Sequence, residues 1–199
     1  MTEISCPIFS ADSALAATAA GVIAPAFDAL LASEWLVPQD DQRVPVLGRY
    51  MLLHVEDALA DGGMVEMTAD HTAVAVWSPV DEALPTPGAD YEQRLAAACG
   101  THAARFLALE KTFAAHHPVR EPHHHLAFLA VLPGHQGDGR GSALLAHHAT
   151  LYPTVPAYLE ASSPGSRRLY AAHGFQDLEE FTLAEDGPTL WPMWRPASS

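Results

Sequence analysis

The stretch His123–Ser142, HHHLAFLAVLPGHQGDGRGS, constrains this chain more than any other. Leu126 to Leu132 is an unbroken apolar run of strand length, as expected for a strand covered on both faces. Pro133 and Gly134 end it. Gly137, Gly139 and Gly141 follow at alternate positions, and Ser142 to Ala146 continues with good helix formers. A glycine-rich turn between a strand and a helix start lets backbone N–H groups close around an anion with no Cβ in the way. The turn is therefore expected to hold a phosphate-bearing ligand.

Spacing decides which one. The nucleoside-triphosphate loop needs Lys and then Ser or Thr after its last glycine, but Arg140 and Gly141 follow Gly139. The dinucleotide fingerprint needs a third glycine where Leu144 stands, and it belongs near the start of an alternating strand–helix domain. The order Gln136-x-x-Gly139-x-Gly141, preceded by Ala130-Val131-x-Pro133, instead resembles the Q/R-x-x-G-x-G/A signature of the GCN5-related N-acetyltransferase (GNAT) superfamily. A second match follows downstream. Tyr158-Leu159-Glu160-Ala161-Ser162, then Arg168-Leu169-Tyr170-Ala171-Ala172-His173-Gly174-Phe175, is similar to that superfamily's next strand and its helix ending Tyr-x-x-x-Gly-Phe. The tail, with Asp186-Gly187-Pro188, Trp191, Met193, Arg195 and Pro196, resembles the puromycin N-acetyltransferase-like branch.

The resemblance implies a mixed α/β fold: a mostly antiparallel sheet of roughly six or seven strands, helices on both faces, and a splayed parallel strand pair. It implies one domain over residues 1–199, with a helical insertion around 79–120. The implied reaction is acetyl transfer from acetyl-CoA to a primary amine of a small molecule. Gln136, Gly137, Asp138, Gly139, Arg140, Gly141 and Ser142 would surround the pyrophosphate. Leu129, Ala130 and Val131 would bind the pantetheine arm and thioester through their backbone, and Ser166 stands where relatives often carry an Asn that bonds that arm. Tyr170 occupies the family's general-acid position, and Glu160 or His125 could serve as the base. Glu160 could instead pair with Arg167 or Arg168. Acetylation of a protein N-terminus or lysine, and a non-catalytic CoA-binding regulatory module, stay open as alternatives.

Composition narrows the partners. A formal net charge of −14, with Lys and Arg together numbering 10, argues against nucleic acid and permits a cationic substrate. Cys6 and Cys99 show neither metal spacing nor a disulfide framework, so a reducing cytoplasm is expected. The apolar stretch Ala11–Ala26 follows no basic residue and reads as a helix rather than a signal peptide, and no run suits a membrane span.

Along the chain, Ile4–Phe9 is expected as an edge strand, and Asp12 or Ser13 as a helix cap before a helix that Pro25 kinks or divides. Asp40-Asp41 reads as an acidic turn, Pro45–Leu59 as a helix, and Met64–Met67 with Ala73–Trp77 as a hairpin. Ser78–Pro87 is a Pro-rich loop, and Ala89–Ala115 is helical with a break at Gly100. Two histidine runs, His116-His117 and His123-His124-His125, invite a metal reading. Alternation puts His123 and His125 on one strand face, but no carboxylate or cysteine completes a set nearby, so no metal is expected. The resemblance to arylalkylamine N-acetyltransferase aligns His125 with the more distant of that enzyme's two strand histidines and puts Ala127 at the nearer position. Apolar residues near Trp191 and Trp194, expected at the surface, allow a homodimer.

Overall fold

The computed structural model describes residues 6–198 apart from 82, 85, 119, 120, 185 and 186. Its elements run β1 (Ile8–Ser10), α1 (Ala16–Phe27), α2 (Leu31–Leu36), α3 (Asp40–Ala60), β2 (Met64–Thr68) and β3 (Ala73–Val80). Then come α4 (Tyr91–Cys99), α5 (Ala103–His116), β4 (His123–Val131), α6 (Arg140–Leu151), β5 (Ala157–Ala161) and α7 (Pro164–Ala172). β6 (Gln176–Asp177), β7 (Phe181–Thr182) and β8 (Thr189–Arg195) close the chain. The sheet has eight strands, more than the sequence suggests, in the order β1-β2-β3-β4-β5-β8-β6 with β7 beside β8. Only β4 and β5 run parallel.

Two apolar layers sandwich this sheet. One joins α1, α3, α4 and α5 to the face carrying Met67, Val74, Val76 and Ala130. The other joins Leu144 and Leu145 of α6 and Tyr170 of α7 to Ala75, Trp77, Leu126 and Leu159. The central strands are buried on both sides, which is why they read as continuous apolar runs rather than as alternation.

Several boundaries move for identifiable reasons. α1 continues through Pro25 to Phe27, so the division falls after the proline and α2 begins at Leu31. α3 begins at Asp40, not Pro45. Asp40 and Asp41 occupy its first turn, where negative charge faces the positive end of the helix dipole. Buried Arg43 secures this corner, donating from Nε to the Val37 carbonyl at 2.9 Å and pairing with Asp40 at 2.5 Å. Asp12 accepts from the Ala14 N–H and caps the short 3-10 turn before α1. β3 runs on to Val80, and Gly100, at φ +57°, breaks α4 from α5. β1 starts at Ile8; Ile4 lies outside the described residues. Trp194 is buried and Trp191 is half-buried against Glu180 and Arg167, so neither offers the exposed apolar surface expected of a dimer contact.

Two glycines separate entropy from packing. A Cβ on Gly21, in α1, meets nothing within 4 Å, whereas one on Gly63 falls 2.5 Å from the Trp77 carbonyl and 2.7 Å from that of Ala58. Gly21→Ala should stabilise the protein by about 0.5–1 kcal/mol in urea unfolding, and Gly63→Ala should destabilise it by about 1–3 kcal/mol.

Candidate active site

β4 and β5 pair over only two positions, His124↔Ala157 and His125↔Tyr158, and then diverge. From Leu126 onward the outer edge of β4 has no strand partner. Which groups that edge presents follows from register. The His124 N–H donates to Pro156 on the β5 side, and the Leu132 N–H donates to Thr72 on the β3 side. Residues of equal parity would face one side in a regular strand, but the register shifts by one residue, Val76 opposing Phe128 and Trp77 opposing Leu126. The unpaired residue is Ala127. Beyond it, Phe128 and Ala130 exchange bonds with β3, while the amides of Leu129 and Val131 face the gap. Ala130, expected among the backbone partners of a ligand, is thus turned the other way. The Val131 carbonyl is met by Gln136 Nε2 at 3.2 Å.

The glycine turn follows directly. Gly137 and Gly139 have φ of +86° and +81°, and Gly139 is the N-cap of α6 without a side-chain cap bond. The first intrahelical bond runs from the Ala143 N–H to the Gly139 carbonyl, which leaves the N–H groups of Arg140, Gly141 and Ser142 ahead of it. A Cβ at Gly139 would meet no atom but would be forced into a left-handed conformation; at Gly141 it would touch Leu169 at 3.5 Å. The fit to an anion therefore comes from backbone donors and the helix dipole. Side chains contribute less than the sequence suggests. Arg140 is turned to Asp70 at 2.6 Å, Asp138 is exposed and off the cleft wall, and the Ser142 hydroxyl meets His173 Nε2 at 2.9 Å. The Ser166 hydroxyl is taken up in the α7 capping box with Ser163.

These elements line one cleft of about 1250 Å³. Its floor carries Glu160 and His125 on neighbouring strands, with His125 Nε2 2.9 Å from Glu160 Oε2. Arg167 pairs with Asp177 rather than with Glu160. The Glu160 side chain is only 4% exposed, and the buried Tyr158 hydroxyl beside it interacts with its carboxylate, although Glu160 Oε1 and the Tyr158 hydroxyl make no hydrogen bond of regular geometry among the described residues. Tyr170 is also on the cleft wall. Burial, and then the nearby charge of Glu160, raise its pKa and keep it a neutral, proton-bearing phenol.

The sequence gives no hint of the wall beyond. α4 and α5 contribute Tyr91, Glu110 and Phe113, the residue directly after α5 contributes His117, and α3 contributes Tyr50 and His54. Tyr91 donates to Glu110 at 2.5 Å, and His54 lies 3.4 Å from the same carboxylate. His117 sits 2.9 Å from His123, and burial, reinforced by His125 and His123, lowers its pKa to about 3. His124 faces the other side of the sheet. There it meets His148 at 3.0 Å, and His148 stacks on Trp77 near Glu66, away from the cleft.

Residues 95–177, from within α4 to the end of β6, match the acetyltransferase (GNAT) domain model. Across 96% of both chains the structure superposes, at a TM-score of 0.72 and 27% identity, on a Corynebacterium glutamicum protein named as histone acetyltransferase HPA2 and related acetyltransferase. It resembles Drosophila melanogaster polyamine N-acetyltransferase at a TM-score of 0.62 and 14% identity, over 94% of this chain and 98% of that one. Arylalkylamine N-acetyltransferase 2 from Aedes aegypti superposes at 0.62 and 13%, over 96% and 99%. Fold and domain match together support an acyltransferase enzyme, with residues 95–177 similar to the acetyltransferase (GNAT) domain.

The Asp70–Arg140 pair joins the β2–β3 turn to the start of α6 and should make stability pH-dependent. Burial raises the Asp70 pKa, but hydrogen bonds from Thr72, Thr68 and Arg140 outweigh it and hold the carboxyl well below the usual range. A depressed folded-state pKa adds stability above the unfolded value of about 3.9, lost as pH falls toward the folded value. The melting temperature of Asp70→Asn should lie below wild type at neutral pH, and the gap should close as pH drops below about 4.

Proposed function

We propose that the protein transfers an acetyl group from acetyl-CoA to the primary amine of a small molecule. The observation that carries this reading is the continuity of one cleft. It runs from the α6 N-terminus, along the free Leu129 and Val131 amides, past Glu160, His125 and Tyr170, to the wall around Glu110. Acetyl-CoA supplies the activated acyl group as a thioester. The N–H groups at Gly137 to Ser142 hold its pyrophosphate, and the β4 edge takes the pantetheine arm as a missing strand would be taken. A free amide of that edge polarises the thioester carbonyl.

The amine arrives protonated and must lose a proton before it can attack. The Glu160–His125 pair is placed to accept it, directly or through one water, and Tyr170 to protonate the departing thiolate. Phe27, Tyr50, Phe113 and Phe128 give the acceptor end an apolar wall suited to a small organic body, with Glu110 available to a cationic group. The polyamine and arylalkylamine enzymes among the similar structures act on acceptors of that kind. The histone acetyltransferase in the Corynebacterium structure's name favours a protein lysine as the second reading.

We further read the chain as one cytoplasmic domain, with residues 79–120 inserted to build the acceptor wall. The tail that resembles the puromycin N-acetyltransferase-like branch forms β8 beside Glu160, through Pro192. Asp186 of that tail lies outside the described residues.

Thiol release from acetyl-CoA, measured against arylalkylamines, diamines and lysine peptides, tests the reading. Turnover with small amines is expected. Turnover with peptides alone would transfer the assignment to a protein acetyltransferase, and CoA binding without turnover on any acceptor would leave a binding module. CoA should raise the melting temperature, and Gly139→Val should abolish that rise, because valine cannot take φ +81° without strain. Tyr170→Phe should lower kcat by about tenfold to a thousandfold with CoA affinity retained. The loss should shrink with donors whose thiol is more acidic.

A further inference from the structure

We propose that His117, His125 and Glu160 form a divalent-metal site in the acceptor wall, open on one side to the cleft and suited to zinc. One ligand atom from each lies within 4.8 Å of the others, and all three residues line the cleft. In a tetrahedral zinc site with bonds of about 2.0–2.1 Å, neighbouring ligand atoms are about 3.3 Å apart. Closing the cluster therefore needs side-chain movements of an ångström or so, within the reach of rotamer adjustment.

Three features point to a ligand rather than to packing. Glu160 Oε1 is buried and makes no hydrogen bond of regular geometry among the described residues, with the Tyr158 hydroxyl close by, whereas its other oxygen is bonded to His125. A carboxylate with one oxygen committed to His125, facing two imidazoles, makes up a two-histidine, one-carboxylate set. The tautomer chain behind His117 is also set. The Glu121 carbonyl can only accept, so His123 donates to it from Nδ1, at 2.8 Å. Neutral His123 then accepts at Nε2, and His117 must donate from its own Nε2, at 2.9 Å. His117 is left with its lone pair on Nδ1, which no hydrogen bond among the described residues takes. A ligating histidine whose second nitrogen donates outward is the orientation that metal sites use. Finally, all three residues line the cleft, so the fourth position falls to water or to a donor atom of the acceptor.

Sequence spacing hides this set, because the three ligands come from the C-cap of α5, from β4 and from β5. The His-x-His pair of His123 and His125 suggests itself first, but the fold uses His123 behind the site rather than in it. The consequence for catalysis rests on the function proposed above: a metal here occupies the base pair and competes with the incoming amine.

The test uses the full chain, dialysed against chelator and titrated with Zn2+ by calorimetry and with Co2+ by visible absorption. One equivalent should bind, with the intense visible bands of low-coordinate cobalt. His117→Gln and Glu160→Gln should each weaken Zn2+ affinity by at least about tenfold, while His116→Gln, an exposed neighbour, should not. Melting temperatures without metal check that each variant is folded. Absence of stoichiometric binding, or undiminished binding in both ligand variants, overturns the site. In wild type, Zn2+ should inhibit thiol release, and excess amine should relieve that inhibition. Metal binding without any acetyltransferase activity would leave the site standing and remove the catalytic reading; activity indifferent to bound Zn2+ would place the base elsewhere.

Discussion

The early separation of β4 from β5 is the constraint on which the rest of the structure depends. Two paired positions hold the strands together, and every feature of the cleft lies beyond them. A sheet edge inside a protein is costly, since its amides must find partners. Here the Val131 carbonyl is met by Gln136, and the free amides of the edge face a cleft that a strand-like ligand can fill. The bulge at Ala127 adds direction. Without that extra residue, Ala130 rather than Leu129 and Val131 would present its amide to the gap, and the edge would end out of step with the glycine turn.

Charge is handled by the same economy. On the function proposed above an acidic chain accepts a polyanionic ligand, and the arginine nearest the turn is already paired with Asp70. What remains is backbone: left-handed glycines that aim amides inward and the positive end of α6. Such a site attracts phosphate locally and leaves the protein's overall field repulsive to anions, which suits a cationic acceptor at the other end of the cleft.

The parts legible in the sequence are those fixed by local chemistry. Glycines at Gly137 and Gly139, the apolar run into Val131 and the Gly174 helix stop are each short-range signals with one conformational meaning, and each is found where it was read. The acceptor wall was illegible for a different reason. Glu110, Tyr91 and His54 come together through α3, α4 and α5, and nothing in an amphipathic helix says which strand its inner face will meet. Several side chains named from the sequence have a second partner nearby. Arg140 found Asp70, Arg167 found Asp177, and Ser166 found its own helix start.

The run His123-His124-His125 shows how far one periodicity can carry chemistry. Strand alternation sends His124 to the α6 side, where burial holds its pKa down to about 4 and His148, Trp77 and Glu66 complete a dry, closed set. That set joins β2, β3, β4 and α6, and it behaves as core. The same alternation sends His123 and His125 to the cleft side, where the Tyr158 hydroxyl and Glu160 Oε1 make no hydrogen bond of regular geometry among the described residues. Identical side chains at adjacent positions thus become structure on one face and reactivity on the other. The difference lies in satisfaction: a buried polar group whose partners are complete has nothing left to offer a ligand, and one left incomplete keeps its lone pairs for whatever enters the cleft.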